Sequence, residues 1–145
     1  MSVGLLLVTH NRVGEALLGA ASDMLGLCPL NTEALAVFPG SNPESLLEEA
    51  RVQVRRLDHG QGVLVLTDIY GSTPSNIATR LAETDNVAVV SGVNLSMLVR
   101  VLNYYKLDLS ELAHKAISGG RDGILALSGC RGSAQDVAPA GHHRQ

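Results

Sequence analysis

Hydrophobic positions along this chain follow two alternating patterns. Short continuous apolar runs, typical of strands buried on both faces of a parallel sheet, occupy residues 3–8, 34–38, 63–67 and 87–90. Apolar residues at helical spacing follow each run, over residues 12–27, 43–57, 74–83, a stretch around 97–102, and 110–117. This alternation predicts an α/β fold, a doubly wound and mainly parallel sheet with helices on both faces.

Turn-forming residues mark the ends of these elements. Asn42 before Pro43 predicts a capped helix start, and a hydroxyl residue before Pro74 predicts another. The last helix is expected to close at Gly119–Gly120, and the apolar residues 123–127 after it predict a fifth strand. Its direction does not follow from the pattern.

Length and charge limit the classes of function. The 145 residues fit one domain, expected over residues 1–129, with a flexible Ala-, Gly- and Pro-containing tail at 130–145. A net charge of −3 without a basic stripe argues against nucleic-acid binding. The opening apolar run is too short to cross a bilayer and lacks the charged start of a signal peptide, so we expect a cytoplasmic protein without direct membrane insertion. Cys28 and Cys130 lack CxxC spacing, which indicates reduced thiols.

Two polar residues follow buried strands and carry the candidate chemistry. His10 follows the first strand and Asp68 follows the third. In open parallel sheets, ligand sites lie beyond the carboxyl ends of the strands, so these side chains can meet if the strands are neighbours. A carboxylate that accepts the proton of one ring nitrogen leaves the lone pair of the other free to attack. The pair therefore predicts an oriented nucleophile.

The surroundings of this pair favour an anion. Helices that begin near residues 12 and 74 would present free N–H groups at the same end of the sheet, which suits a phosphoryl group. The hydroxyls of Thr9, Ser72 and Thr73 are candidate phosphate-binding donors.

No other constellation in the sequence points to a cofactor. The chain has no HExxH, CxxC, Walker or GxSxG motif, and no GxGxxG after a strand, so we expect neither a metal nor a nucleotide. The remaining histidines join no convergent group; they are His59, His114, His142 and His143.

Three ordered motifs together resemble a known family. They are Thr9-His10, the segment from Asp68 to Asn76 with its Tyr-Gly-Ser-Thr-Pro core, and the segment from Ser91 to Leu98. The chain resembles the IIA domain of the mannose family of the bacterial phosphoenolpyruvate-dependent sugar phosphotransferase system, over roughly residues 1–127. Where that family has Trp-Gly-Gly-Ser-Pro, this chain has a serine, Ser72, in place of the second glycine, and Asn11 replaces a glycine after the histidine.

The resemblance implies a function for these residues. The chain would be a phosphotransferase component that takes a phosphoryl group on Nε2 of His10 from the carrier HPr. Asp68 would hold the other ring nitrogen, and Thr73 would contact the phosphoryl group. It also implies a homodimer in which the fifth strand, at 123–127, is antiparallel and exchanged between subunits. Because the sequence ends at Gln145, we expect the acceptor to be a separate IIB-type protein or a regulatory target.

Two alternatives remain open at this stage. A phosphocarrier subunit of a dihydroxyacetone kinase system would use the same His10 with another acceptor. A receiver-like regulatory module would be phosphorylated on Asp68, but it would need an acidic pair after the first strand to bind Mg²⁺, and Thr9-His10 stands there.

Overall fold

The computed structural model describes residues 2–129, and over that range the chain forms one four-stranded parallel sheet. The strands are β1 (Gly4–His10), β2 (Thr32–Val37), β3 (Val63–Thr67) and β4 (Val87–Ser91). They are arranged in the order β2-β1-β3-β4, with all three neighbouring pairs parallel. The predicted parallel sheet is confirmed.

Helices cover both faces of the sheet, as the alternating pattern predicts. The helices are α1 (Val13–Leu25), α2 (Pro43–Leu57), α3 (Thr73–Ala82), α4 (Leu95–Asn103) and α5 (Leu109–Asp122). On one face, Leu5 and Leu7 of β1 belong to a core cluster with α1, α4 and α5. On the other face, Leu6 and Val8 belong to a cluster with α2 and α3. Because successive strand residues point to opposite faces, one apolar run supplies both cores.

Local chemistry sets the ends of the first two helices. The Asn42 side chain accepts hydrogen bonds from the N–H groups of Glu44 at 2.9 Å and Ser45 at 3.2 Å, which confirms the predicted cap of α2. Helix α1 ends at Leu25, earlier than predicted, because Gly26 takes the left-handed conformation at φ 77°.

The prediction that the last helix closes at Gly119–Gly120 is wrong, because α5 continues through Asp122. Both glycines are buried where α5 packs on α4. A Cβ atom on Gly119 would lie 2.5 Å from Cβ of Arg100, and one on Gly120 would lie 2.9 Å from Cε of Met97. These glycines therefore allow close helix packing rather than ending the helix.

Residues 123–127, predicted as a fifth strand, lie outside the sheet in the single chain. Their apolar side chains Ile124, Leu125 and Leu127 are exposed. The antiparallel direction of this segment and its exchange between subunits stay predictions. The predicted flexible tail at 130–145 lies outside the described residues.

Candidate functional site

The strand order brings the two predicted site residues together. β1 and β3 are neighbours, and Val8 pairs with Thr67, so the two strands end side by side. His10 is the last residue of β1, and Asp68 directly follows β3. From β1 the chain connects to β2 on one side of the sheet, and from β3 it connects to β4 on the opposite side. The direction of winding therefore reverses between β1 and β3. Such points form the crevices in which α/β proteins bind ligands.

His10 and Asp68 are joined by two hydrogen bonds to one carboxylate oxygen. Oδ2 of Asp68 lies 3.0 Å from the ring nitrogen Nδ1 of His10 and also accepts the backbone N–H of His10 at 3.0 Å. The second oxygen, Oδ1, accepts the backbone N–H of Ile69 at 3.1 Å. The Asp68 side chain is 13% exposed and that of His10 is 43% exposed. Backbone N–H groups thus hold the largely buried carboxylate in place, while the imidazole is partly exposed to solvent.

The charge state of Asp68 sets the tautomer of His10. Burial opposes ionisation of this carboxyl group, yet the hydrogen bonds from the His10 backbone and ring hold the pKa of Asp68 below its ordinary value. An ionised carboxylate only accepts hydrogen bonds, so Nδ1 of His10 carries the proton. Nε2 then keeps its lone pair, which is the arrangement of a nucleophilic imidazole.

The imidazole borders an open cleft of about 390 Å³. Its walls come from the loop after β1, the loop after β2 and the start of α3, with lining residues His10, Asn11, Val37, Phe38, Pro39, Gly40, Ser41, Pro43 and Thr73. The side from Phe38 to Ser41 was not among the residues predicted from the sequence. It follows the carboxyl end of β2, the other neighbour of β1, and that position is the signal that could have identified it.

The three predicted phosphate-binding hydroxyls have different places in the structure. The Thr9 side chain is buried, and its hydroxyl oxygen accepts the N–H of Gly14 at 2.8 Å, inside the first turn of α1. The Ser72 hydroxyl donates to the carbonyl oxygen of Ile69 at 2.6 Å, closing the loop before α3. Thr73 is exposed and lines the cleft together with His10. The structure therefore brings Thr73 to His10 and places the Thr9 hydroxyl away from the cleft.

The start of α3 offers backbone donors beside the cleft. Ser72 stands at the cap position, but its side chain makes no capping hydrogen bond to the helix. The first-turn N–H groups of Thr73 and Ser75 have no carbonyl partner within a helix, and Pro74 between them has no N–H. Together with the dipole of α3, these donors suit a negatively charged group.

Asn11 and Ser72 stand where the resembled family has glycine, and the backbone angles at both positions are open to these residue types. Asn11 has φ 47°, a left-handed conformation that asparagine adopts more readily than most residues. Ser72 has φ −87° and ψ 175°, which is ordinary extended backbone. Gly71, at φ 83°, takes the left-handed position in this loop. Ser72 therefore adds no backbone strain, and Asn11 is a residue type that tolerates its left-handed angle.

Within residues 2–129, no group of three or more His, Cys, Asp or Glu side chains is placed to hold a metal ion. Over the same range, none of the helices combines the length and the apolar character needed to cross a membrane. Away from His10, His59 precedes β3 and His114 lies on α5, while His142 and His143 fall outside the described residues.

Comparison with known proteins gives a consistent family match. The family model described as "PTS system fructose IIA component", EIIA-man, matches residues 4–117. The mannose-specific EIIAB component of the phosphotransferase system from Escherichia coli K12 is 36% identical over 130 residues, which is 88% of this chain. The chain spans only about 40% of the length of that relative.

Solved structures repeat the match in three dimensions. A phosphotransferase IIA protein associated with the fucose utilization operon of Streptococcus pneumoniae is 31% identical, with a TM-score of 0.67, covering 81% of this chain and 92% of that protein. A mannose/sorbose-specific IIA subunit from Enterococcus faecalis has a TM-score of 0.78 at 21% identity, covering 92% of this chain and all of that protein. The second likeness shows the shared fold.

Proposed function

This chain belongs to the mannose family of IIA domains of the phosphotransferase system, and from that premise we propose that it is a phosphocarrier that accepts a phosphoryl group on Nε2 of His10. The single observation that carries the proposal is the 3.0 Å pairing of His10 Nδ1 with Asp68 Oδ2. It fixes the proton on Nδ1 and leaves Nε2 as the free nucleophilic nitrogen.

In this proposal the donor is the phosphohistidine of HPr. Nε2 of His10 forms a bond to phosphorus while the P–N bond to the donor imidazole breaks, and the donor ring leaves with that electron pair. The proton on Nδ1 stays in place, so the phosphorylated ring becomes positively charged and Asp68 stabilises it. Such transfers pass through a loose transition state, which leaves positioning and charge balance as the main tasks of the protein.

The incoming phosphoryl group needs donors for its oxygens. Thr73 lies in the cleft with His10, and the free N–H groups at the start of α3 lie next to it. These donors would compensate the negative charge as it arrives. Ser72 would contribute only if its hydroxyl left the carbonyl oxygen of Ile69. No step of this mechanism requires a metal or a cofactor.

The proposed acceptor is a separate IIB-type protein or a regulatory target. The same His10 would serve a dihydroxyacetone kinase system, and only the acceptor would differ. The receiver-like alternative has less support, because both carboxylate oxygens of Asp68 already accept backbone N–H groups and one of them also pairs with the His10 ring.

The proposed assembly is a homodimer in which residues 123–127 pair with β4 of a second copy. Its support is the set of exposed side chains Ile124, Leu125 and Leu127. A cleft of about 370 Å³ is lined by Val89 and Val90 of β4 together with Ile124. Light scattering coupled to size exclusion would test this part of the proposal, with a monomer as the contrary result.

The direct test of the carrier role supplies the chain with phosphoenolpyruvate, enzyme I and HPr, and maps the phosphate by mass spectrometry. We expect one acid-labile phosphate on His10. His59→Ala is the matched control, because it removes a histidine at the other end of the strands and should leave the labelling unchanged. An acyl phosphate on Asp68 would support the receiver, and no phosphate on the chain would overturn the proposal.

A further inference from the structure

The motif from Ser91 to Leu98 contains one side chain that caps two helices at once. Oδ1 of Asn94 accepts the N–H of Met97 at 2.8 Å and caps the start of α4. Its Nδ2 donates to the carbonyl oxygen of Gly120 at 3.2 Å, in the last turn of α5. The last carbonyl groups of a helix have no partner within the helix, so this bond supplies one from outside. Asn94 therefore fastens the end of α5 to the start of α4.

A second tie between the two helices lies at Arg100 of α4. Its guanidinium pairs with Asp122, the last residue of α5, at 3.2 Å and also donates to the Ser118 hydroxyl at 3.4 Å. The missing side chain at Gly119 lets the stem of Arg100 lie against α5. We call Asn94, Arg100 and Asp122 the α5 clamp, because together they hold the last turn of α5 on α4.

The clamp fixes the length of the connection between α5 and residues 123–127. The helix continues through Asp122, and the N–H of Ile124 bonds to the carbonyl oxygen of Arg121 at 3.1 Å. Gly123 keeps helical angles, with φ −82° and ψ −1°. A helix that ended at the preceding pair of glycines would leave three residues free for this connection, whereas the observed helix leaves Gly123 alone.

Distance is not what keeps residues 123–127 off the sheet of their own chain. β4 is an edge strand. Asn86 and Gly92 bond to β3, so alternation directs the backbone N–H and C=O of Val89 outward, to the open side of the edge. Ile124 lines the same cleft as Val89. A pairing edge thus lies beside the start of the segment, yet over the described range the segment pairs with no strand.

We propose that the α5 clamp keeps residues 123–127 from pairing with β4 of their own chain and so directs them to β4 of a second copy. This inference rests on the proposed dimer. α5 ends beside Asn94, beyond the carboxyl end of β4, so an antiparallel strand on that edge must turn back directly after the helix. A tight reversal needs about two residues free of the helix, and the clamp leaves one. Short connections of this kind favour exchange between subunits.

Lengthening the connection tests the inference directly. Insertion of three glycines after Gly123 should turn the dimer into a monomer, as measured by light scattering coupled to size exclusion. The amides of residues 124–127 should exchange slowly in the parent dimer and also in this monomer, because the segment pairs with β4 in both. The same insertion after Leu27, in the exposed loop between α1 and β2, is the control and should leave the dimer intact.

Weakening the clamp by one hydrogen bond gives a graded test. Asn94→Asp keeps an oxygen for the N–H of Met97 but loses the donor to Gly120. We expect the dissociation constant of the dimer to rise about tenfold in analytical ultracentrifugation, with an unchanged circular dichroism spectrum. Asn42→Asp is the matched control at the start of α2, where the cap uses the side-chain oxygen alone, and should leave the dissociation constant unchanged.

A dimer that neither the insertion after Gly123 nor Asn94→Asp weakens would overturn the inference. An insertion variant that is monomeric with rapidly exchanging amides at 124–127 would overturn it as well, because the longer connection would not have returned the segment to its own chain. A monomeric parent would overturn the proposed dimer and the inference with it. Labelling of His10 by phosphorylated HPr should equal that of the parent in every variant, because His10, Asp68 and Thr73 belong to one chain, so the carrier role is tested separately.

Discussion

The end of the sheet where the strands begin is closed by hydrogen bonds to a side chain and by close packing, whereas the end where the strands finish is open around His10. At the closed end, Oδ1 of Asp58 accepts the N–H groups of Gly60 at 2.8 Å and Gly62 at 3.0 Å. A Cβ atom on Gly4 would lie 2.6 Å from the carbonyl oxygen of Leu57. No side chain larger than hydrogen fits at that point.

The open end carries the opposite features. The start of α3 has no side-chain cap, the imidazole of His10 is partly exposed, and Ile69 and Tyr70 face solvent. Uncapped helix ends and exposed apolar groups contribute little to the stability of a domain. If the proposed phosphoryl transfer occurs where the strands finish, we expect stability to depend more on the close contacts where the strands begin.

The largest expected effect is the complete loss of phosphoryl acceptance in His10→Ala. No other side chain in the cleft is placed to take over as a paired nucleophile. The free energy of unfolding should change by less than about 1 kcal/mol, because the imidazole lies at the surface. Mass spectrometry after reaction with phosphorylated HPr measures the loss of phosphoryl acceptance. Denaturant unfolding measures the change in the free energy of unfolding. A large loss of stability would contradict the separation of the two ends.

Asp68→Ala should slow phosphorylation of His10 about 100-fold while the fold is retained. Without the carboxylate, the proton is no longer held on Nδ1, and the positive charge that develops on the ring has no partner. The rate of labelling with phosphorylated HPr measures this effect, and circular dichroism monitors the fold. A rate equal to that of the parent chain would mean that the pairing has no part in the reaction.

Two glycines with the same backbone angle offer a matched test of stability. Gly62 at the closed end has φ 83°, and Gly40 in the cleft wall has φ 84°. A Cβ atom on Gly62 would lie 2.8 Å from Asn86, whereas one on Gly40 would meet nothing within 4 Å. Gly62→Ala should therefore cost about 3 kcal/mol from left-handed strain and steric overlap together. Gly40→Ala should cost only about 1 kcal/mol, from the backbone strain alone.

Denaturant unfolding of both variants measures this difference directly. At a temperature where Gly62→Ala is still folded, its rate of phosphorylation should equal that of the parent chain. Equal losses of stability in the two variants would show that packing at the closed end contributes nothing beyond the backbone angle.

The smallest expected effects on stability come from substitutions at the starts of α2 and α3, both at the open end of the sheet. Asn42→Ala removes the two hydrogen bonds that cap α2 and should cost about 1 kcal/mol of stability. Ser72→Ala removes no cap and should cost less than about 0.5 kcal/mol. Thermal unfolding compares the two. A larger loss in Ser72→Ala would mean that the bond from its hydroxyl to the carbonyl oxygen of Ile69 holds the loop more firmly than a cap holds a helix.

Much of this architecture was predictable because its signals are local. The apolar run of β3 and the Asn42-Pro43 start of α2 gave the observed bounds. The meeting of His10 and Asp68 followed from their places after two buried strands, once those strands proved to be neighbours. That adjacency is a property of topology, which no spacing in the sequence specifies.

The missed features depend on contacts between distant segments. β1 extends to His10, so strand alternation turns the Thr9 side chain away from the cleft and into the turn where it meets Gly14. Gly119 and Gly120 have the composition of a helix end, yet α4 presses against them and the helix continues. Residues 123–127 have the composition of a strand, but over the described range of the single chain they pair with none of the four strands.

The most direct measurement of the central claim is nitrogen NMR of the His10 ring in the phosphorylated, ¹⁵N-labelled chain. The pairing of Nδ1 with Asp68 predicts phosphorus bonded to Nε2 and a proton retained on Nδ1. Phosphorus on Nδ1, or on the carboxylate of Asp68, would contradict the account.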